Sequence, residues 1–349
     1  MSVSCLHAPV SQARSASRAR HLLAAAALAA ASGAACRRSG PSPGHKGKLP
    51  AASIGKAVAE APHLPGPLPA LDELAFIPRD VEAVVRADLA GLGRSDPGFA
   101  YVWPSALAHE RPELVALLAR ADIDFAADID RLYVALGPDF GVSGAYLAAL
   151  SGRFDEARVA AALTAAGLAA HEVDGVRVWR VRLAEGAGGV VLAPGLVVAG
   201  ALPLVERSAA LLAAAARGEA GSGAAGGDVR DGPLREELAG LDVRAHGWVV
   251  ARLGAASQAR LGQEAAGLSR LRLDFERRDG RVRLGLRVAF TDAASARAAE
   301  QRLRALTASA ERTDARLGLL GLWLGSGVTL DLVRDVEHGG TVITARTLL

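Results

Sequence analysis

The sequence contains no asparagine, only three lysines (Lys46, Lys48 and Lys56) and a single methionine. Without Asn there is no acceptor for N-linked glycans. Without Lys beyond position 56 there is no phosphate-binding loop of the Gly-Lys-Ser/Thr kind. Cysteine is scarce as well: Cys5 and Cys36 are the two in the chain. The body that follows them therefore has no internal disulfide and no thiolate zinc site. A chain of 349 residues, 51% hydrophobic, buries a sufficient core without such staples and has the length of about two domains. Acid is missing from one end. Residues 1–50 carry seven Lys/Arg and no Asp or Glu, which leaves residues 51–349 with 33 basic against 37 acidic side chains. The formal charge of +3 thus belongs to the N-terminal segment, and the body lacks the basic footprint of a nucleic-acid binder.

What the N-terminus does hold is the pattern of an export signal. Arg14, Arg18, Arg20 and His21 supply positive charge, and Leu22 to Ala31 is an apolar run too short to span a bilayer as a helix. Gly33-Ala34-Ala35-Cys36 follows. These residues resemble the lipobox of bacterial lipoproteins, in which small residues precede a cysteine that becomes the diacylated N-terminus. That family usually has Leu where Gly33 stands. Gly33 and Ala35 also suit an ordinary signal peptidase, which would leave Cys36 unmodified. The expectation is a signal peptide over 1–35, lipidation at Cys36, and a bacterial cell-envelope protein held to a membrane by that lipid. Residues 36–73 are rich in Pro, Gly, Ser and charge, as expected of a flexible tether.

Beyond the tether, strand and helix signals alternate twice. The first series is a strand over Val81 to Leu89, a helix over Pro112 to Ala121, strands over Ile129 to Leu136 and Ala145 to Leu150, and an Ala-rich helix capped by Asp155. Hairpins around Asp174-Gly175 and Pro194-Gly195 and a helix over Pro203 to Arg217 complete it. The second series is a strand over His246 to Leu253 and a weaker helix over Ser257 to Leu268. A hairpin around Asp279-Gly280, a helix opened by Thr291 or Asp292, a short helix over Asp314 to Leu324 and a hairpin over His338 to Gly340 follow. Gly152-Arg153-Phe154-Asp155 and Ala289-Phe290-Thr291-Asp292 both end a strand near an aromatic and open an Ala/Arg helix on an acid. The expected fold is α+β: two tandem ferredoxin-like repeats (β-α-β-β-α-β plus an extra strand) with antiparallel sheets. They are expected over 74–216 and 233–349, joined by a Gly-rich linker over 217–232. Superposition should bring Phe154 onto Phe290 and Asp174-Gly175 near His338 to Gly340.

Three short segments carry a wider resemblance: Phe76-Ile77-Pro78-Arg79-Asp80, Gly152 to Asp155, and Asp174-Gly175-Val176-Arg177-Val178. In these the body is similar to a family of exported bacterial proteins of unknown function. That resemblance spans roughly residues 74–348 and implies no activity.

Catalytic and ligand motifs are sparse. Gly221 to Gly226 fits the spacing of a dinucleotide loop, but an Ala-rich helix precedes it where a strand is required, so it reads as linker. Asp122, Asp124, Asp128 and Asp130 cluster, yet Ala127 and Tyr133 stand where a calcium loop needs Gly and Glu. His63, His109, His171, His246 and His338 show no zinc spacing, and His171 reads as a surface pair with Glu172. No cofactor or metal is implied. The sharpest pattern lies along Leu271 to Phe290. Leu271, Leu273, Phe275, Val282, Leu284, Leu286, Val288 and Phe290 share one face, and Arg270, Arg272, Arg281, Arg283 and Arg287 with Asp274 and Glu276 share the other. That open face suits an anion or an acidic partner, or serves simply as a solvated surface with cross-strand ion pairs. It lacks the stacking aromatics of an RNA-binding sheet. The expected function is a non-enzymatic binding or scaffolding module whose partners are the membrane, through the anchor, and an envelope protein or small molecule. The alternatives are a periplasmic or surface hydrolase with a dispersed site, which would need His, Asp and Ser to converge between the repeats, and a carrier of a small apolar ligand. The carrier is suggested by strands 129–136 and 145–150, which are apolar on both faces and need a cover.

Overall fold

Period-2 alternation and the turn residues between strands build one sheet. The structure is a computed structural model and describes residues 72–95, 118–138, 140–183, 186–219, 227–241, 245–261, 267–278, 281–308, 331–337 and 340–348. A 3-10 turn at Asp72–Leu74 precedes β1 (Ala83–Asp88) and α1 (Leu89–Ser95). Strands β2 (Ile129–Leu136) and β3 (Tyr146–Gly152) lead to α2 (Glu156–Ala165). Then come β4 (Ala170–Val173), β5 (Val176–Leu183), β6 (Gly186–Ala193), β7 (Leu196–Ala201) and α3 (Leu202–Ala216). The rest comprises α4 (Arg235–Ala239), β8 (Gly247–Arg252), α5 (Ala255–Leu261), β9 (Leu268–Arg278), β10 (Arg281–Phe290), α6 (Ala293–Ala308), β11 (Asp331–Glu337) and β12 (Gly340–Leu348). Asp174 and Gly175 both take positive φ, 51° and 82°, as the two-residue β4–β5 turn demands. The expected helix over 112–121 is described only from residue 118, and that over 314–324 lies outside the described residues.

The fold is α+β with a large antiparallel sheet of twelve strands in the order β11-β12-β10-β9-β8-β1-β2-β3-β7-β6-β5-β4. The ferredoxin-like order is thereby overturned. In a split βαβ, a third strand separates the two that a helix joins. Here β1 pairs directly with β2 and β8 with β9, so the sheet is a chain of neighbouring strands. Nor are there two separate sheets, because β1 and β8 pair along Ala83–Ala87 and fuse the halves.

Outward from that seam the halves mirror each other. On one side run β1, β2, β3, β7 and β6, and on the other β8, β9, β10, β12 and β11. Val85 faces Val249 across the seam. Val85 also faces Val134 in β2, as Val249 faces Leu273 in β9. Both halves carry a bulge at the matching place: Arg131↔Ser151 slips to Ile129↔Gly152, and Arg270↔Ala289 slips to Leu268↔Phe290. A bulge bends a strand at a fixed position, so its recurrence is a stronger mark than shared alternation. Asp155 and Asp292 then cap α2 and α6, accepting from the Ala157 and Ser295 N–H groups. The helices share one face. Phe275 belongs to the core under α2 with Val159 and Leu163, while Leu271 on the same side of β9 packs with Ala296 of α6.

Two details of the expected superposition change. The ladders place Gly152, not Phe154, opposite the position of Phe290. The connection to the helix cap is one residue longer in the first half, which moves its aromatic off the strand. The counterpart of the His338 to Gly340 hairpin is the β6–β7 hairpin at Pro194-Gly195, because β7 pairs with β3 as β12 pairs with β10. The hairpin at Asp174-Gly175 is an addition at the sheet edge.

On the other face α3 lays Leu204, Val205 and Ala209 over Leu147, Val178, Val191 and Val198. This helix covers β3 and Phe76 stands on Tyr133 of β2, so the cover those strands required comes from the chain itself. The end of the expected linker is also pinned. Val229 is fully buried, and its N–H donates to Ile77 O.

Candidate functional site

The face that α3 covers in the first half carries charge in the second. Alternation along β9 puts Arg270, Arg272, Asp274 and Glu276 on it. Across the β9–β10 ladder Arg272 lies directly opposite Arg287, and Asp274 opposite Gly285. Like charges in that relation repel. The side chains of Arg281 and Arg283 lie outside the described residues. Helix α4 closes one side. Its Leu238 anchors in the core, which fixes Glu236 and Glu237 against β9. Together Glu236, Glu237, Arg270, Arg272 and Arg287 line a cleft of about 270 Å³.

Arg270 reaches back to α4, with Nη1 3.4 Å from Glu236 Oε2 and Nε 4.0 Å from Glu237 Oε1. Glu237 is only 7% exposed, and among the described residues its Oε2 accepts no hydrogen bond. Gly240, which ends α4, makes room for Arg272: a Cβ there would lie 1.7 Å from Nη1.

The first half provides the control. Its 3-10 turn stands where α4 stands, and Asp72-Glu73-Leu74-Ala75 matches Glu236-Glu237-Leu238-Ala239 at the same distance before β1 and β8. By the ladder registers Arg131 is the counterpart of Arg270, Tyr133 of Arg272 and Arg86 of Val250. Glu73 is closed by two cations, Arg86 Nε at 2.7 Å and Arg131 Nη1 at 3.0 Å. Burial first, and the Glu73 charge second, push the Tyr133 phenol up to about 12. Phe76 stands edge-on to Tyr133 with ring centroids 5.6 Å apart. In the second half Gly240 replaces Phe76, Arg272 replaces Tyr133, and Val250 replaces Arg86. The plug of the first half thus becomes a cleft.

Sequence reading found the Arg face but missed Glu73 and Glu237. The available signal was the repeated acid-Glu-Leu-Ala segment before each first strand. The remaining candidates fall elsewhere. Cys36, His63, His109, His338 and Gly221 to Gly226 lie outside the described residues. Asp124 accepts from the Ala127 N–H and Asp128 from the Asp124 N–H, so these acids cap a helical turn, while Asp122 pairs with Arg158 at 2.7 Å. His171 pairs with Glu206 of α3 at 2.9 Å rather than with Glu172, since the added hairpin packs on that helix. His246 lies at the seam beside Asp88, and burial lowers its affinity for a proton. Asp88 is engaged by the Gly91 N–H, and the Ser257 hydroxyl by Glu82. None of the described helices is long and apolar enough to cross a membrane.

No family model matches the chain. No curated protein matches it either. Among solved structures, crystal forms III and I of TP0453 are similar at 13% identity, with TM-scores of 0.44 and 0.42. Each match covers 78% of this chain, and 92% and 91% of the TP0453 chain respectively.

Proposed function

We propose that the protein is an exported, lipid-anchored cell-envelope module that binds through the open, Arg-bearing face of its second half. In this reading the sheet arose by tandem duplication. One copy gained α3 and a hairpin and became the stabilising half, and the other carries charge on the same face. The observation that carries the reading is this asymmetry. The same sheet face is sealed by α3 over β3, β7, β6 and β5, while over β9 and β10 it presents Arg272 opposite Arg287. Arginine serves planar anions better than lysine does, through two parallel hydrogen bonds. The leader pattern ending at Cys36 supports the anchor, and two or more acyl chains hold a protein stably on a membrane. The reading needs no cofactor and no bond-making chemistry.

The test has two arms. In the native host, Cys36→Ser should abolish acyl labelling and move the protein from the detergent phase to the aqueous phase. Arg272→Glu with Arg287→Glu should leave it membrane-bound but strip whatever co-purifies with the wild type. A wild-type protein that is unlabelled and aqueous defeats the anchor. Unchanged co-purification with the double variant defeats the binding face.

A further inference from the structure

Charge divides unequally between the halves. Residues 72–219 hold 13 Arg and 20 acidic side chains, whereas residues 228–349 hold 19 Arg and 16 acidic ones. The excess gathers at one turn. Between Phe275 of β9 and Leu284 of β10, residues 276–283 carry Arg277, Arg278, Arg281 and Arg283 against Glu276 and Asp279. The first half has the same turn between Leu136 of β2 and Tyr146 of β3, since Leu136 pairs with Ala83 as Phe275 pairs with Gly247. That copy, residues 137–145, has no Arg, and its Phe140 is buried against Ala251 and Leu253. The second copy projects instead. Among the described residues β8 pairs with β9 no further than Phe275, and β12 with β10 no further than Arg283. Arg277, Arg278 and Arg281 therefore lie beyond the last pairs of both neighbouring strands.

We propose that the tip of the β9–β10 hairpin seats the anchored body on anionic phospholipid headgroups. It rests on the anchor of the proposed function and is independent of Arg272 and Arg287. The chain that leads from Cys36 reaches the sheet at the same end as the tip. Glu73, which follows that segment, pairs with Arg86 and Arg131. Arg131 stands opposite Asp88, the last residue of β1, and Ala87 opposite Gly247, which faces Phe275. From Phe275 the hairpin runs on to its tip. Cys36 lies 36 positions before Asp72. A coil of that length spans about 30–36 Å, and the two or three strand spacings from β1 to the hairpin add only about 10–15 Å. An acyl chain at Cys36 thus keeps the tip close to the headgroups, where each Arg adds attraction to an anionic surface. On the first half the same end carries Asp124 and Asp128, just before β2, so repulsion lifts that half away and orients the body.

The test is hydrogen exchange over residues 276–284 in the full-length protein, purified from the native host and placed in vesicles. One set of vesicles is phosphatidylcholine alone, and the other is equal parts phosphatidylcholine and phosphatidylglycerol. The anchor holds the protein on both. Exchange at the tip should be at least about tenfold slower on the anionic vesicles. The difference should vanish on going from about 0.1 M to about 1 M salt, where the screening length falls from about 10 Å to about 3 Å. Arg277→Glu with Arg281→Glu should abolish the slowing. Arg180→Glu with Arg182→Glu makes the same change of charge on exposed residues of β5 and should leave it intact. If the charge reversal at the tip does not fold, Arg277→Gln with Arg281→Gln should still weaken the slowing. Equal exchange on both vesicles, or slowing that survives the tip variants, overturns the proposal. If exchange is equal while the tip variant strips a co-purifying protein, the tip serves an acidic protein; the proposal falls and the proposed function stands. A wild-type protein that stays on neither vesicle defeats the anchor, and the proposal with it.

Discussion

Glu73 and Glu237 occupy matching positions in the two halves, and their surroundings differ by three residues. Around Glu73, Arg86, Tyr133 and Phe76 close a buried ion-pair cluster. Around Glu237, Val250 replaces Arg86, and the Arg272 guanidinium packs against Gly240 where the first half has the Tyr133 and Phe76 rings. A duplicated frame can thus hold the same carboxylate in two different settings. The frame itself is unaltered: strand registers, bulge, capping aspartates and helix face are common to both. Elsewhere the exchange is compensated. Ala83 opposite Leu136 becomes Gly247 opposite Phe275, and a Cβ on Gly247 would lie 2.1 Å from the Phe275 ring. At Glu237 Arg270 remains, with Nε 4.0 Å from Oε1.

The largest expected effects test whether the halves share an anchor. Leu74 and Leu238 are 0% and 2% exposed, so Leu74→Ala and Leu238→Ala should each cost about 3–4 kcal/mol in denaturant unfolding. A near-neutral result at either one would break the equivalence of the 3-10 turn and α4. Next comes the plug. Arg86→Val copies the second half into the first and leaves Glu73 short of one cation, at a cost of about 3 kcal/mol. Glu237→Gln removes no comparable pair and should change stability by less than about 1 kcal/mol.

The alkaline limb sharpens the same contrast. The Tyr133 phenol is pushed from about 10 in the unfolded chain up to about 12, so its neutral form is favoured on folding. The resulting stability is complete below pH 10 and is lost as pH rises through 12. It amounts to about 2–3 kcal/mol. All three lysines lie by position 56, so none in the body titrates across this window. Tyr133→Phe should flatten the fall in stability between pH 10 and 12, and a persistent fall would place its cause elsewhere. The smallest effect is expected from Gly240→Phe. The new side chain meets the tip of Arg272, which can swing aside, so unfolding should shift by less than about 1 kcal/mol.

Local features were legible in the sequence. Asp155 announced the start of α2, Asp174-Gly175 its hairpin, and alternation put Leu271, Phe275, Leu286, Val288 and Phe290 on the core face of β9 and β10. These depend on neighbours within a few residues. Strand order was not legible, because β1 meets β8 and β3 meets β7 through pairings that local periodicity does not encode. The site was half legible for the same reason. Arg270 and Arg272 advertise themselves on a strand, whereas Glu237 reaches them from a five-residue helix some thirty positions earlier in the chain. Its meaning appears only when Glu73 is seen closed by Arg86.

The central claim is that the two halves are copies of one frame in which Glu73 and Glu237 occupy the same place. The most direct test is a crystal structure of the protein. β1, β2 and β3 should superpose on β8, β9 and β10 with Glu73 over Glu237 and Arg131 over Arg270. Glutamates or bulges that fall at different places after that superposition would contradict it.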